Sequence, residues 1–301
     1  MPTLIVLTGP TASGKTAAAL QVAEHFHAPI LNADSRQIYR DIPIGTAAPT
    51  AEEQARVPHY FVGTLALDDY YSAARYEAEV MELLPRLFAE RDVVVMSGGS
   101  MMYIDAVCNG IDDIPTISEE TRTMMRTRYE QEGLEPLLAE LRLADPEYYA
   151  QCDRRNYRRI IHALEVIYQS GKPFSSFRRG EVRERPFRII KIGLQRPRPE
   201  LFARINARVG QMMEQGWLDE VRRVMLYRHC NALNTVGYKE LFQVLDGTWS
   251  LDFALARIAK NTRVYAKKQI TWFAKDPAIH WLDAASPDAV IGFCKTQMDS
   301  E

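Results

Sequence analysis

The sequence predicts an α/β fold: a parallel sheet flanked by helices, with an all-helical insertion. Three observations point there. Strand-like and helix-like segments alternate through the N-terminal third, a glycine-rich turn joins the first strand to the first helix, and a long arginine-rich helical stretch interrupts the alternation before it resumes.

Leu4–Thr8 reads as the first strand and Thr16–His25 as the first helix. Between them lies GPTASGKT, that is Gly9, Pro10, Thr11, Ala12, Ser13, Gly14, Lys15 and Thr16. The pattern G-x-x-x-x-G-K-[ST] between a strand and a helix is the setting a phosphate loop requires, which makes the expected fold P-loop NTPase-like. In such a turn backbone N–H groups converge, Lys15 adds a positive charge, and the Thr16 hydroxyl can hold Mg²⁺. The loop by itself does not choose ATP over another polyphosphate.

Ile30–Ala33 reads as a short second strand, Tyr71–Glu90 as a helix interrupted near Pro85, and Asp92–Met96 as a buried strand ending in SGGS. Ser118–Gln169 is helical throughout, with Leu, Met and Ile at helical spacing. FRIIKIGL (187–194) returns to the strand texture, and helices are expected over Glu200–Gln215, Trp217–Tyr227, Lys239–Leu245 and Leu251–Lys275. The domain expectation is therefore an α/β core over 1–114 and 186–301 around a helical insertion over 115–185, with turn-rich boundaries on both sides.

Composition narrows the class. The 301 residues are 47% hydrophobic and 25% charged, an ordinary globular balance. No apolar run reaches bilayer length and no signal-like segment precedes the first strand, so a cytoplasmic protein without membrane attachment is expected. Cys108, Cys152, Cys230 and Cys294 are widely spaced and read as reduced thiols. The net charge of −2 hides two basic tracts. Residues 151–191 carry eleven Lys or Arg against four acids, and 253–275 carry six against none. On a helical wheel, Arg257, Lys260, Arg263, Lys267, Lys268 and Lys275 share one arc of the last long helix. Ala254, Leu255, Ile258, Tyr265, Ala266, Ile270, Trp272 and Phe273 share the other. An acid-free basic face suits a polyanion.

Asp34 follows the second strand in LNADSRQIY. The carboxyl ends of strands in an open α/β sheet collect at the ligand crevice, so Asp34 should face the phosphate loop as a metal ligand through water or as a general base. A turn-capping aspartate is the plainer alternative. The third strand ends in Ser97-Gly98-Gly99-Ser100, without the metal-binding aspartate of an ordinary ATPase strand.

Six blocks now stand in order: GPTASGKT (9–16), ADSRQIYRDIPIGTAAP (33–49), SGGSMMYI (97–104), RNYRRIIHALEV (155–166), VGYKE (236–240) and NTRVYAKKQITWF (261–273). Together they resemble the tRNA dimethylallyltransferase (IPP transferase) family over nearly the whole chain. Departures are Ala48 and His162, where the family commonly has Lys and Arg, and Ser100-Met101-Met102, where it commonly has Thr-Gly-Leu. The resemblance implies transfer of a dimethylallyl group from dimethylallyl diphosphate to N6 of adenosine 37 in the anticodon stem-loop of tRNA, with Mg²⁺ as cofactor, by a monomer. It implies that the loop amides, Lys15 and Mg²⁺ on Thr16 stabilise the leaving diphosphate, aided by Arg204 and Arg208, which are spaced i, i+4. Asp34 becomes the base, positioned by Ser100, and Gln37 a contact for the base edge. The implied RNA-facing residues are Asp34, Ser35, Arg36, Gln37, Ser100 and Arg122; Arg158, Arg159, Ile160, Ile161 and His162; Asn234, Thr235, Val236, Gly237, Tyr238 and Lys239; and Lys267, Lys268, Gln269, Ile270, Thr271, Trp272, Phe273 and Ala274. The alternatives are a P-loop small-molecule kinase or ATPase, an isopentenyltransferase acting on free adenine nucleotide, and a non-enzymatic RNA-binding protein.

Overall fold

The structure is a computed structural model that describes residues 1–300. It divides into two compact units, one of residues 1–108 with 184–301 and one of 109–183.

In the larger unit β1 (Thr3–Thr8) is wholly buried and passes through the glycine-rich turn into α1 (Lys15–His25). Then come β2 (Ile30–Asn32), the single turn α2 (Pro43–Thr46), α3 (Ala51–Arg56) and the two-residue β3 (His59–Tyr60). Helix α3 starts at a reciprocal cap, in which Thr50 Oγ1 accepts the Glu53 N–H and the Glu53 carboxylate accepts the Thr50 N–H. Helix α4 (Ala73–Phe88) runs unbroken through Pro85, against expectation. Pro85 forgoes its own intrahelical N–H bond, and the helix continues past it to Phe88. Strand β4 (Val93–Ser97) ends in the SGGS turn, and α5 (Met101–Asn109) starts at once, a helix the sequence reading did not predict.

The smaller unit holds α6 (Glu119–Glu132), α7 (Leu134–Ala144), α8 (Pro146–Gln151) and α9 (Tyr157–Ser170). The stretch expected to be continuously helical is thus four helices. Gly133, at φ 79°, breaks it first. Asp145 breaks it again by accepting the Tyr148 N–H and the Ser175 N–H and hydroxyl. Its core comprises Met125, Leu137, Leu141, Ile160, Leu164 and Phe174. The unit begins at Asn109, the near edge of the turn-rich stretch 109–115. Asn109 O accepts the Arg183 N–H, and Asp112 Oδ1 accepts the N–H groups of Arg179 and Gly180, tying residues before Pro115 to the unit's far end.

The larger unit then resumes with β5 (Arg188–Gln195), α10 (Arg198–Glu214), α11 (Trp217–Arg223), α12 (Tyr238–Leu245), α13 (Leu251–Phe273), β6 (Ile279–Asp283) and α14 (Pro287–Asp299). The six strands are parallel in the order β3-β2-β4-β1-β5-β6. Alternation along β1 separates two cores. Leu4 and Val6 join Leu31, Tyr76, Met96, Trp217, Tyr238 and Phe273 on one face, while Ile5 and Leu7 join Ala18, Val22, Val95, Ile192 and Val290 on the other.

Register puts the carboxyl ends of three strands level. Ser97 pairs with Leu7 of β1 and with Asn32 of β2. The Gly98 N–H donates to Leu7 O and the Ala33 N–H to Ser97 O, so the three following turns open on one place. Gly98 has to lack a side chain, because a Cβ would lie 2.1 Å from Ala33 O. Among the described residues no helix is long and apolar enough to cross a membrane.

Candidate active site

The turn after β1 is held by its carbonyls. Lys15 Nζ donates to Gly9 O (3.0 Å) and Pro10 O (2.7 Å), Arg204 Nε to Ala12 O (2.9 Å), and Arg196 Nε to Ser13 O (2.6 Å). The Ser13 N–H donates to Pro10 O and the Thr11 N–H to the Gln269 side chain. Of the loop amides expected to meet a ligand, those of residues 12–16, that of Ser13 is therefore already engaged, as is the neighbouring Thr11 amide. The amides of Ala12, Gly14, Lys15 and Thr16 carry no partner among the described residues. Gly14, at φ 108°, starts α1 without a side-chain cap, so the positive end of the helix dipole meets them.

A cleft of about 950 Å³ opens over this turn. Its lining includes Thr11, Ala12, Gly14, Lys15 and Thr16 of the loop, Asp34 and Gln37 after β2, Ser97–Gly99 after β4, Arg204 and Arg208 from α10, and Tyr265 and Gln269 from α13. Burial, with the Arg208 guanidinium adding to it, pushes the Lys15 ammonium down to about 7, and Asp34 partly offsets them. Burial also lowers Arg208, Asp34 again opposing and Arg204 assisting. The site is a concentration of positive charge with one carboxylate inside its reach, which is what an anionic ligand requires. Burial raises the Tyr265 phenol to about 12, with Asp34 adding to the rise, so it stays protonated.

Asp34 uses one oxygen structurally. Its Oδ1 accepts the N–H groups of Arg36 (2.9 Å) and Gln37 (3.4 Å), the turn-capping role considered from the sequence, while Oδ2 has no partner among the described residues. One oxygen fixes the carboxylate and the other is left to take a proton. Ser100 acts from behind. It is 8% exposed, and its Oγ accepts the Ser35 N–H (2.8 Å) and donates to Ser35 Oγ (3.1 Å). It is not among the cleft-lining residues and bonds the Asp34 turn from behind, a place suited to positioning that turn. Gln37 lines the cleft, but its Nε2 is committed to Thr46 O and Ala47 O, leaving Oε1 as its one group for a base edge. Arg36 donates to Asn231 O.

Several residues expected to face RNA point inward. Tyr238 is fully buried; its hydroxyl donates to Glu220, whose carboxylate also accepts the Ile44 and Gly45 N–H groups and so braces α2 at the cleft wall. Gly237 is buried under Trp217, and a Cβ there would lie 2.1 Å from that ring. Phe273 and Gln269 are buried in the larger unit and Ile160 in the core of the smaller one. Each sits on the inner face of an otherwise surface element, and apolar periodicity signals this for Gln269 as well, since it falls within the apolar arc of the α13 wheel. The exposed members are Asn234, Lys239, Lys267, Lys268, Ile270, Thr271, Trp272 and Ala274 in the larger unit, and Arg158 and Arg159 in the smaller. Thr235 and Val236, like Arg122, Ile161 and His162, are half-buried. Trp272 is tethered by its Nε1–H to Asp105 Oδ2 at 2.8 Å.

The exposed Thr16 hydroxyl and the Asp34 carboxylate are among the hard oxygen donors that line the cleft, and no cluster of three His, Cys, Asp or Glu able to hold a metal occurs among the described residues. Donors of that kind fit Mg²⁺, which keeps several waters and takes phosphate oxygens from its ligand.

Comparison with known proteins places the chain. The IPP transferase family profile matches residues 37–276. The chain is 59% identical over 297 residues to tRNA dimethylallyltransferase 1 of Bacteroides thetaiotaomicron, covering 99% of this chain and 96% of the relative. It is 61% identical over 279 residues to tRNA dimethylallyltransferase 1 of Phocaeicola vulgatus, covering 93% of each. Among solved structures, the tRNA isopentenylpyrophosphate transferase of Bacillus halodurans superposes with a TM-score of 0.72 at 30% identity, over 99% of this chain and 97% of that one. A eukaryotic dimethylallyltransferase, captured in crystallographic snapshots acting on tRNA, superposes with a TM-score of 0.80 at 25% identity, over 94% of this chain and 74% of that one.

Proposed function

The chain belongs to the IPP transferase family, and from that premise we propose that it transfers the dimethylallyl group of dimethylallyl diphosphate to N6 of adenosine 37 in tRNA anticodon loops. Diphosphate is the leaving product. The observation that carries the reading is the cleft itself, which the Lys15 turn and Asp34 line together.

The exocyclic amine is a poor nucleophile because its lone pair is delocalised into the ring. Asp34 takes a proton from N6 as the N–C bond forms and the C–O bond to diphosphate breaks. The negative charge growing on the departing oxygen is met by the free amides of Ala12, Gly14, Lys15 and Thr16, by the Lys15 ammonium and by Arg204 and Arg208. Mg²⁺ held by the Thr16 hydroxyl and the diphosphate would add further neutralisation of that charge. The adenine leaves its stack to enter the cleft, and Gln37 Oε1 is suited to accept from its amine edge. Exposed Arg158, Arg159, Lys267 and Lys268 supply cations for RNA phosphates. Four free cysteines suit the reducing cytoplasm.

The test mixes purified protein, Mg²⁺, radiolabelled dimethylallyl diphosphate and unmodified tRNA with adenosines at 36 and 37. Label in the RNA supports the proposal. Label in AMP alone would make the chain a nucleotide prenyltransferase, and ATP hydrolysis without prenylation a kinase or ATPase.

A further inference from the structure

Gln269 is a cleft residue to which the chemistry above gives no role. It is 2% exposed, although Lys267, Lys268 and Ile270 beside it on α13 are exposed. Its Oε1 accepts the Thr11 N–H at 2.8 Å and its Nε2 donates to Gly99 O at 2.9 Å. The site is built to admit this amide, since a Cβ on Gly99 would lie 2.4 Å from Nε2. Glutamine offers an acceptor and a donor on one rigid plane, and both are used here.

The two partners matter for what lies on the other side of each peptide. The Thr11 N–H belongs to the peptide whose carbonyl, Pro10 O, accepts the Lys15 ammonium at 2.7 Å and the Ser13 N–H. Gly99 O belongs to the peptide whose N–H, on Ser100, donates to Ala33 O directly before Asp34. A single side chain therefore orients the peptide plane that seats the cation and the plane that seats the carboxylate. We infer that Gln269 is a positioning residue that sets Lys15 and Asp34 relative to each other, and that it ties both to the seating of α13. The inference deepens the prenyl-transfer reading and rests on it for the roles of those two groups.

Gln269→Met keeps the volume and removes both hydrogen bonds; Gly99→Ala displaces the amide without altering the sequence of α13. Binding of inorganic pyrophosphate with Mg²⁺ is measured by calorimetry, alongside kcat, the donor KM, tRNA affinity and its salt dependence. Both variants should weaken pyrophosphate binding about 10-fold and lower kcat by about 10- to 100-fold, from two lost hydrogen bonds and misplaced reacting groups. The tRNA Kd should stay within about twofold with an unchanged salt slope, as expected for a side chain that meets no phosphate. Unchanged pyrophosphate affinity and kcat with weaker tRNA binding would make Gln269 an RNA contact and overturn the inference. Fewer sites per molecule with an unchanged Kd at those remaining would reduce it to a folding role and overturn it too. Should Gln269→Met not fold, Gly99→Ala carries the test. Pyrophosphate binding needs neither RNA nor turnover, so a wild-type chain that failed to prenylate RNA would sink the function while leaving this measurement intact.

Discussion

Replacing Asp34 by asparagine separates two jobs that its carboxylate holds. Oδ1 is the acceptor for the Arg36 and Gln37 N–H groups, and asparagine keeps that acceptor; Oδ2 is the free oxygen, and asparagine turns it into an amide without basicity. Loss of a general base lowers turnover by about 10²- to 10⁴-fold, which is about 3–5 kcal/mol of transition-state stabilisation at 1.36 kcal/mol per tenfold. The turn should be untouched, so urea unfolding of Asp34→Asn should match wild type. Asp34→Ala, which also deletes the cap, should lose about 1 kcal/mol of stability. The assay is single-turnover prenylation at saturating donor, with tRNA affinity from filter retention beside it. Asp34→Asn within about threefold of wild-type turnover would refute proton transfer to this carboxylate, because no catalytic base survives such a change so lightly. Turnover and tRNA affinity falling together would make Asp34 an RNA contact instead.

Three further outcomes follow from the same geometry. Burial holds the Lys15 ammonium near 7, and a bound diphosphate favours its charged form, so donor binding takes up a proton above that pH. The donor KM should therefore be lowest at and below about pH 7 and rise toward tenfold per unit above it. Lys15→Arg, charged throughout, should flatten that rise between pH 7 and 9, and an unchanged profile would assign the titration elsewhere. Arg158→Ala and Lys268→Ala, both at exposed cations, should each weaken tRNA binding and reduce the slope of log K against log salt by about one; equal slopes in variant and wild type would exclude phosphate contacts there. Tyr238→Phe removes a donor from the buried Glu220 carboxylate and should cost about 1–3 kcal/mol in urea unfolding. Its tRNA salt slope should not change, and an altered slope at unchanged stability would restore the RNA-facing role that burial denies it.

The sequence by itself determined what depends on neighbouring residues. GPTASGKT between a strand and a helix is a local object, since its amides and its lysine lie within one turn of chain. VVVM in β4 and the apolar run of β1 are equally local, as is the acid-free basic face of α13. Register and partner choice are not. Gln269 bonds Thr11 and Gly99, which are 258 and 170 positions away; a helical wheel places it among the apolar residues of α13 but names neither partner. Tyr238 sat in a motif read as RNA-facing until its place beside Glu220 and Gly45 showed it inside. The two-residue β3, and β6 at the opposite sheet edge, escaped because so few residues carry their pattern and edge pairing is decided by neighbours distant in sequence. A phosphate loop can be read from its own chemistry; whether a given polar side chain meets solvent, substrate or a buried peptide is decided only when the parallel sheet brings remote turns together, because burial and hydrogen-bond pairing are properties of the packed chain.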